Sequence, residues 1–230
     1  MSIVENLERV REQIAAACAK AGRSEADVAL MAVSKTHPAS AIEEAYAAGQ
    51  RLFGENRVQE WEAKSAQLSL PGLEMHLIGP LQSNKTNKAA GLFHTIEAVD
   101  SLRIAQRLDT AAQALGRRLP ILIEIKLSHE DSKHGMAPQE LPALLEALPA
   151  LSHVIPVGLM TVPPLDAQGE EARPYFRRLR ELRDQAQTRI ATLTHLSMGM
   201  SHDYTVAIEE GSTCVRVGTA IFGEREYSQP

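Results

Sequence analysis

Short apolar, β-rich runs separated by helix-compatible stretches recur along this chain, and that recurrence constrains its fold more than any other feature. The runs are Val28–Ser34, Arg51–Gly54, Met75–Gly79, His94–Val99, Ile121–Leu127, Val154–Thr161, Leu193–Ser197 and Cys214–Phe222, eight in all. Between them lie helical stretches at Pro38–Gly49, Arg57–Leu68, Ser101–Leu115, Pro138–Leu148 and Glu170–Ile190, with shorter ones at Asn84–Ala90 and Asp203–Glu210. Pro38 near a start and Gly49 at an end follow the usual asymmetry of helix punctuation. Strands that alternate with helices pair in parallel through crossovers, with both faces of the sheet covered. Eight such units predict an α/β fold, a single closed (β/α)8 TIM-type barrel. Seven residues follow Gly223, too few for a last helix, so an extra N-terminal helix over Ile3–Lys20 is expected to cover that gap. No linker divides the chain, and the turn-rich VPPLDAQG at 162–169 follows a strand as a barrel loop would, so residues 1–230 are expected to form one domain.

Composition narrows the partners. Hydrophobic residues make up 44% of the 230, ample for a large core, whereas aromatics are 4% and the formal charge is −5. Few stacking surfaces and no positive field argue against nucleic acid as a partner. The acidic opening, with Glu5, Glu8 and Glu12, lacks the basic head and apolar middle of a signal peptide. No apolar stretch reaches the roughly 20 residues that span a membrane. The two cysteines, Cys18 and Cys214, have no metal-ligand or CxxC spacing. They read as free thiols in a reducing compartment, and a cytoplasmic location is expected.

In such a barrel, active sites form at the C-terminal ends of the strands. Lys35 ends the first run, in VALMAVSKTHP. Lysine is among the residues least often buried, and it can simply snorkel out of a strand end. It can also serve as a nucleophile that forms a Schiff base with an aldehyde, when burial or nearby positive charge lowers its pKa. Arg216, between Val215 and Val217, shares its strand face with Cys214 and Gly218 and points into the predicted barrel. A buried guanidinium needs a partner, which either a structural ion pair or a site would supply. Gly218-Thr219 offers exposed backbone N–H groups where phosphate sites after the last barrel strands often lie. SMGMS, residues 197–201, would form another wall, although a tight turn explains its glycine and Ser201 would also serve as a helix cap. His129, Glu130, Asp131 and His134 crowd the loop after the fifth run, but their spacing matches no helical zinc motif and reads as a solvated charged loop.

Read together, AVSKTHP, FGENRVQE, HLIGPLQSNK, GLMTV, LSMGMSHDY and VRVGTAIFG, spread in order from Ala32 to Gly223, closely resemble the pyridoxal phosphate homeostasis protein family. The resemblance implies a barrel like the N-terminal domain of alanine racemase, holding pyridoxal 5′-phosphate (PLP) as an internal aldimine. It implies Lys35 as the Schiff-base lysine, and Ser201, Gly218 and Thr219 at the cofactor phosphate with Ser197 and Met198 lining the same side. It further implies Arg216 at the pyridine nitrogen, and Asn56 and His76 near the ring. The chain departs from many relatives at His37, where they carry lysine, and in the HEDSKHGM loop.

An arginine at the pyridine nitrogen keeps its proton and repels a pyridinium, so the ring stays neutral and stabilises carbanions weakly. That tuning fits a non-catalytic PLP carrier in intracellular vitamin B6 homeostasis, with PLP-dependent apo-enzymes as recipients. The alternative is a PLP-dependent amino-acid racemase, which needs an acid–base group on each face of its substrate. Alanine racemases take their second base, a tyrosine, from a domain after the barrel, for which this chain has no room; Tyr204 and Tyr227 remain. A monomer is expected, with a dimer as the alternative.

Overall fold

Runs of aliphatic residues without a polar face must be covered on both sides, and the chain achieves this by closing its strands on themselves. The computed structural model describes residues 2–128 and 134–223. Strands β1 (Ala29–Val33), β2 (Leu52–Glu55), β3 (Glu74–Leu77), β4 (Thr95–Val99), β5 (Leu119–Glu124), β6 (Val154–Met160), β7 (His195–Ser197) and β8 (Cys214–Val217) form a closed parallel barrel in sequence order. The TIM-type barrel expected from the sequence is therefore present. Its seam is the β1–β8 pair, in which Met31 lies opposite Arg216 and Ala32 opposite Val217.

The covering helices are α1 (Ile3–Lys20), α2 (Ala39–Ala47), α3 (Val58–Ser65), α4 (Thr86–Leu92), α5 (Leu102–Ala114), α6 (Leu141–Ala147), α7 (Arg173–Gln187), α8 (Tyr204–Glu209) and α9 (Thr219–Phe222). Strand alternation sends Phe53, Met75, Ile96, Ile121, Leu159, Leu196 and Val215 outward into one large core beneath these helices. The barrel interior holds a smaller apolar cluster of Ala98, Leu122 and Met160.

α1 fills the place of the missing eighth crossover. A capping box between Ser2 and Glu5 starts it, and Leu7, Val10, Ile14, Ala17 and Cys18 form its buried face. That face packs on α2, α8 and α9. Asn6 Nδ2 donates to the Ile221 carbonyl at 2.9 Å and so ties the first helix to the last. The eighth run is shorter as a strand than its sequence predicts: β8 stops at Val217, and Thr219–Phe222 turns into α9. A single helical turn of apolar residues is too short to show a period, so it reads as a continued strand. Among the described residues, no helix is long and apolar enough to cross a membrane.

α7 and α8 are joined by charge. Glu210, buried just past α8, pairs with Arg173 and Arg177 at 3.1 Å and with Arg180 at 3.2 Å. Burial pushes its carboxyl up, but Arg177 and Arg173 outweigh this and hold it below its ordinary 4.5. A carboxylate with a lowered folded pKa contributes stability that is present above its ordinary value and lost as pH falls through the folded value. Acid titration of the unfolding free energy below pH 4.5 is therefore expected to fall less steeply for Glu210→Gln, which starts less stable at neutral pH. Parallel curves would contradict this.

Candidate functional site

The loops that leave β1, β2, β3, β7 and β8 surround a cavity of about 360 Å³ at the C-terminal end of the barrel. Lys35, Asn56, Ser201, Arg216, Gly218 and Thr219 all line it. Its size falls within the range of small-molecule sites, about 300–1,000 Å³.

Lys35 is half-buried in the turn after β1, and the backbone on both sides of it is clamped. Thr36 adopts φ 68°, a left-handed conformation uncommon for a non-glycine residue. Its N–H donates to Glu60 Oε1 at 2.5 Å. On the other side, Lys64 Nζ donates to the Ser34 carbonyl at 3.0 Å. The same ammonium bonds Glu55 Oε1 at 2.8 Å and Glu60 Oε1 at 2.7 Å, and Ser34 Oγ donates to Glu55 Oε1 at 2.6 Å. Burial pushes the Glu55 carboxyl above its ordinary range despite Lys64 and Ser34. Its Oε2 is buried without a hydrogen-bond partner, which adds to the cost of ionising it.

Two glycines bring the other walls close. A Cβ on Gly79 would stand 2.3 Å from the Asn56 carbonyl oxygen, so only glycine lets the chain leaving β3 cross directly over Asn56. Gly199, at φ 95°, turns SMGMS tightly enough that a Cβ would meet Ala207 Cβ at 2.5 Å. Ser201 does not cap α8. Asp203 occupies that position, and Ser201 Oγ accepts from the Ala220 N–H at 3.4 Å, joining the β7 and β8 loops.

Three of the predicted site residues stand elsewhere. Strand alternation turns Met198 outward, fully buried in the core beneath the helices. Ser197 is also fully buried but faces the barrel interior, where it accepts from Arg216 Nη1 at 2.7 Å. His76 faces inward too, but at a lower level: Ile78 and Gly79 reach the upper cavity from this segment, and His76 lines a second cavity at the opposite end of the barrel. The upper cavity also contains Glu124, a buried carboxylate at the end of β5. An acidic residue inside the apolar ILIEIK run was its signal in the sequence. His37 and His134 also line this cavity, and the His37 ring stacks obliquely on Phe222 of α9 at 5.1 Å.

His129, Glu130 and Asp131 lie outside the described residues, as does Tyr227. Tyr204 is buried with its hydroxyl bonded to Gln13 of α1, on the helical side of the barrel. Both cysteines are free and buried.

Fold and site together define a barrel of the alanine racemase N-terminal type, and the chain matches the family described as "Alanine racemase, N-terminal domain" over residues 6–226. Among its relatives, the pyridoxal phosphate homeostasis protein of Aquifex aeolicus is 45% identical over 99% of this chain and 100% of that protein. The Pseudomonas aeruginosa protein of the same name is 46% identical over 100% of this chain and 98% of its own. PipY of Synechococcus elongatus, solved with PLP bound, is 44% identical and superposes with a TM-score of 0.87 over 96% of this chain and 100% of PipY. The chain belongs to the pyridoxal phosphate homeostasis protein family.

The clamp around Lys35 is open to a direct test. Lys64→Met strands the buried Glu55 carboxyl and is expected to cost about 3–5 kcal/mol in urea unfolding. Lys64→Met combined with Glu55→Leu is expected to recover most of that loss. An unchanged midpoint in the single variant would show that the clamp carries no stability.

Proposed function

We propose that this chain is a PLP-binding barrel that serves intracellular vitamin B6 homeostasis, carrying the cofactor in the upper cavity as a Schiff base on Lys35 without substantial turnover. The observation that carries this reading is the convergence of Lys35, Arg216 and Gly218-Thr219, from opposite ends of the chain, on one cavity across the β1–β8 seam.

The donor set fits the cofactor. Ser201, Gly218 and Thr219 form a small, uncharged seat in which backbone N–H groups and two hydroxyls would hold a phosphate. Gly218 lies so close to β1 that a Cβ there would stand 3.3 Å from the Val33 carbonyl, and this closeness supports a seat beside the Lys35 turn. Asn56 would border the ring. When bound, PLP supplies an aldehyde that condenses with an amine, releasing one water, and a ring that can accept electron density. Arg216 tempers the second property. Its guanidinium offers only donors and would leave the facing ring nitrogen an acceptor, without a proton, so the site favours holding and exchanging PLP over withdrawing electrons from an amino acid. Tyr204, engaged with Gln13, is not available as an opposing base.

On this reading the whole chain is one binding domain, working in the cytoplasm as a monomer and handing PLP to apo-enzymes. The purified protein loaded with PLP is expected to show a visible absorption band that is absent from Lys35→Ala. Added D- or L-alanine is expected to change that band without interconverting the isomers. Steady racemisation would replace the carrier with an enzyme, and an unchanged, reducible adduct in Lys35→Ala would remove the lysine from its role.

A further inference from the structure

A column of buried polar side chains runs through the barrel beneath the upper cavity, where barrels of this class ordinarily hold layers of branched apolar residues. Arg216 Nη1 donates to Ser197 Oγ at 2.7 Å, and Nη2 donates to the Thr161 carbonyl at 2.8 Å. Ser197 Oγ lies 2.5 Å from Glu97 Oε2, and Glu97 Oε1 lies 2.8 Å from His76 Nδ1. Below the column is the second cavity, onto which the His76 ring opens.

The protons give the column a direction. A guanidinium has only donors, so Ser197 accepts from Arg216 and must donate its own hydroxyl proton to Glu97. Glu97 Oε2 is therefore an acceptor. Burial pushes this carboxyl up, but the bond and charge of His76, the charge of Arg216 and the Ser197 hydroxyl together hold it below its ordinary range. Oε1 then accepts from the Nδ1–H of His76. A carboxylate that is 1% exposed thus faces a guanidinium that is 4% exposed, with a single hydroxyl between them. Both charges are almost wholly withdrawn from solvent, so each relies on the other for compensation. A hydroxyl bonded on both sides has a fixed rotor, and the guanidinium is planar, so the geometry at Glu97 determines where the remaining Arg216 N–H groups point.

We propose that Glu97 is a positioning residue for the cofactor. Acting through Ser197, it aims the Arg216 guanidinium into the upper cavity and balances its charge, and His76 orients the carboxylate from below. The proposal rests on PLP occupying that cavity and deepens it by naming what sets the charge that the ring nitrogen meets. It also gives His76 a role at a distance from the ring.

The test compares the full-length protein with Glu97→Gln, Ser197→Ala and, as a carboxylate control that lines the lower cavity outside the column, Glu74→Gln. Glu97→Gln keeps the shape and can still accept from Ser197, so a purely structural column would survive it. Glu97→Gln and Ser197→Ala are each expected to weaken PLP binding about tenfold and to shift the visible absorption and fluorescence of the bound cofactor, while the reducible adduct remains on Lys35. Glu74→Gln is expected to match the parent. Parental affinity and spectra in both column variants would overturn the proposal. If Glu97→Gln does not fold, Ser197→Ala, which removes one hydroxyl, decides alone. A readout without cofactor separates this proposal from the PLP assignment: guanidinium NMR signals of Arg216 in the apo-protein. Slow-exchanging signals in the parent that are lost in Ser197→Ala support the positioning role even if no adduct forms, and signals indifferent to the substitution contradict it.

Discussion

The pairing of β1 with β8 is the contact on which the rest of this structure depends. Residues nearly two hundred positions apart meet there in one register, Met31 against Arg216 and Ala32 against Val217. From that register follow the inward Arg216, the approach of Gly218 to Val33 and the position of both beside the Lys35 turn. α1 secures the seam from outside, since it lies against α2, α8 and α9 and holds the Ile221 carbonyl through Asn6. The contact that closes the barrel also forms one wall of the cavity.

Around that seam, charges are buried in sets that balance. Glu55 and Lys64 form one set behind the Lys35 turn, and Glu97, Ser197 and Arg216 form another beneath the cavity. Such sets contribute little net stability over apolar substitutes, but breaking one partner away is costly, so they favour one arrangement over its neighbours. Here the arrangement concerns two groups, the Lys35 backbone and the Arg216 guanidinium, whose placement within the cavity decides what a bound aldehyde and ring would meet. The left-handed Thr36 belongs to the same design: a conformation costing of order 1 kcal/mol persists because Glu60 and Lys64 hold the turn from both sides.

Much of this was legible in the residues. Apolar runs and punctuation locate all eight strands of the barrel, and the helix over Ile3–Lys20 that they predict is present and packs on α2, α8 and α9. Alternation in CVRVG put Arg216 inside. Alternation tells which face a side chain takes but not its height along the barrel, which is why His76 stands a level below the cavity and why Met198 points to the outer core. The Lys64 clamp left no trace in sequence, because a lysine in a charged helix reads as solvated until the helix is docked. The eighth run reads longer in sequence than β8 is, because one helical turn has no visible period. Glu124 shows in the sequence only as an acid in an apolar run, and its place at the cavity depends on the register of β5.

The proposed function turns on whether the β1–β8 seam delivers Lys35 to a cofactor aldehyde. Borohydride reduction of the PLP-loaded protein, followed by peptide mapping, tests it most directly. One stoichiometric pyridoxyl adduct is expected on the peptide that contains Lys35. An adduct placed chiefly on another lysine, such as Lys64 or Lys85, would contradict it.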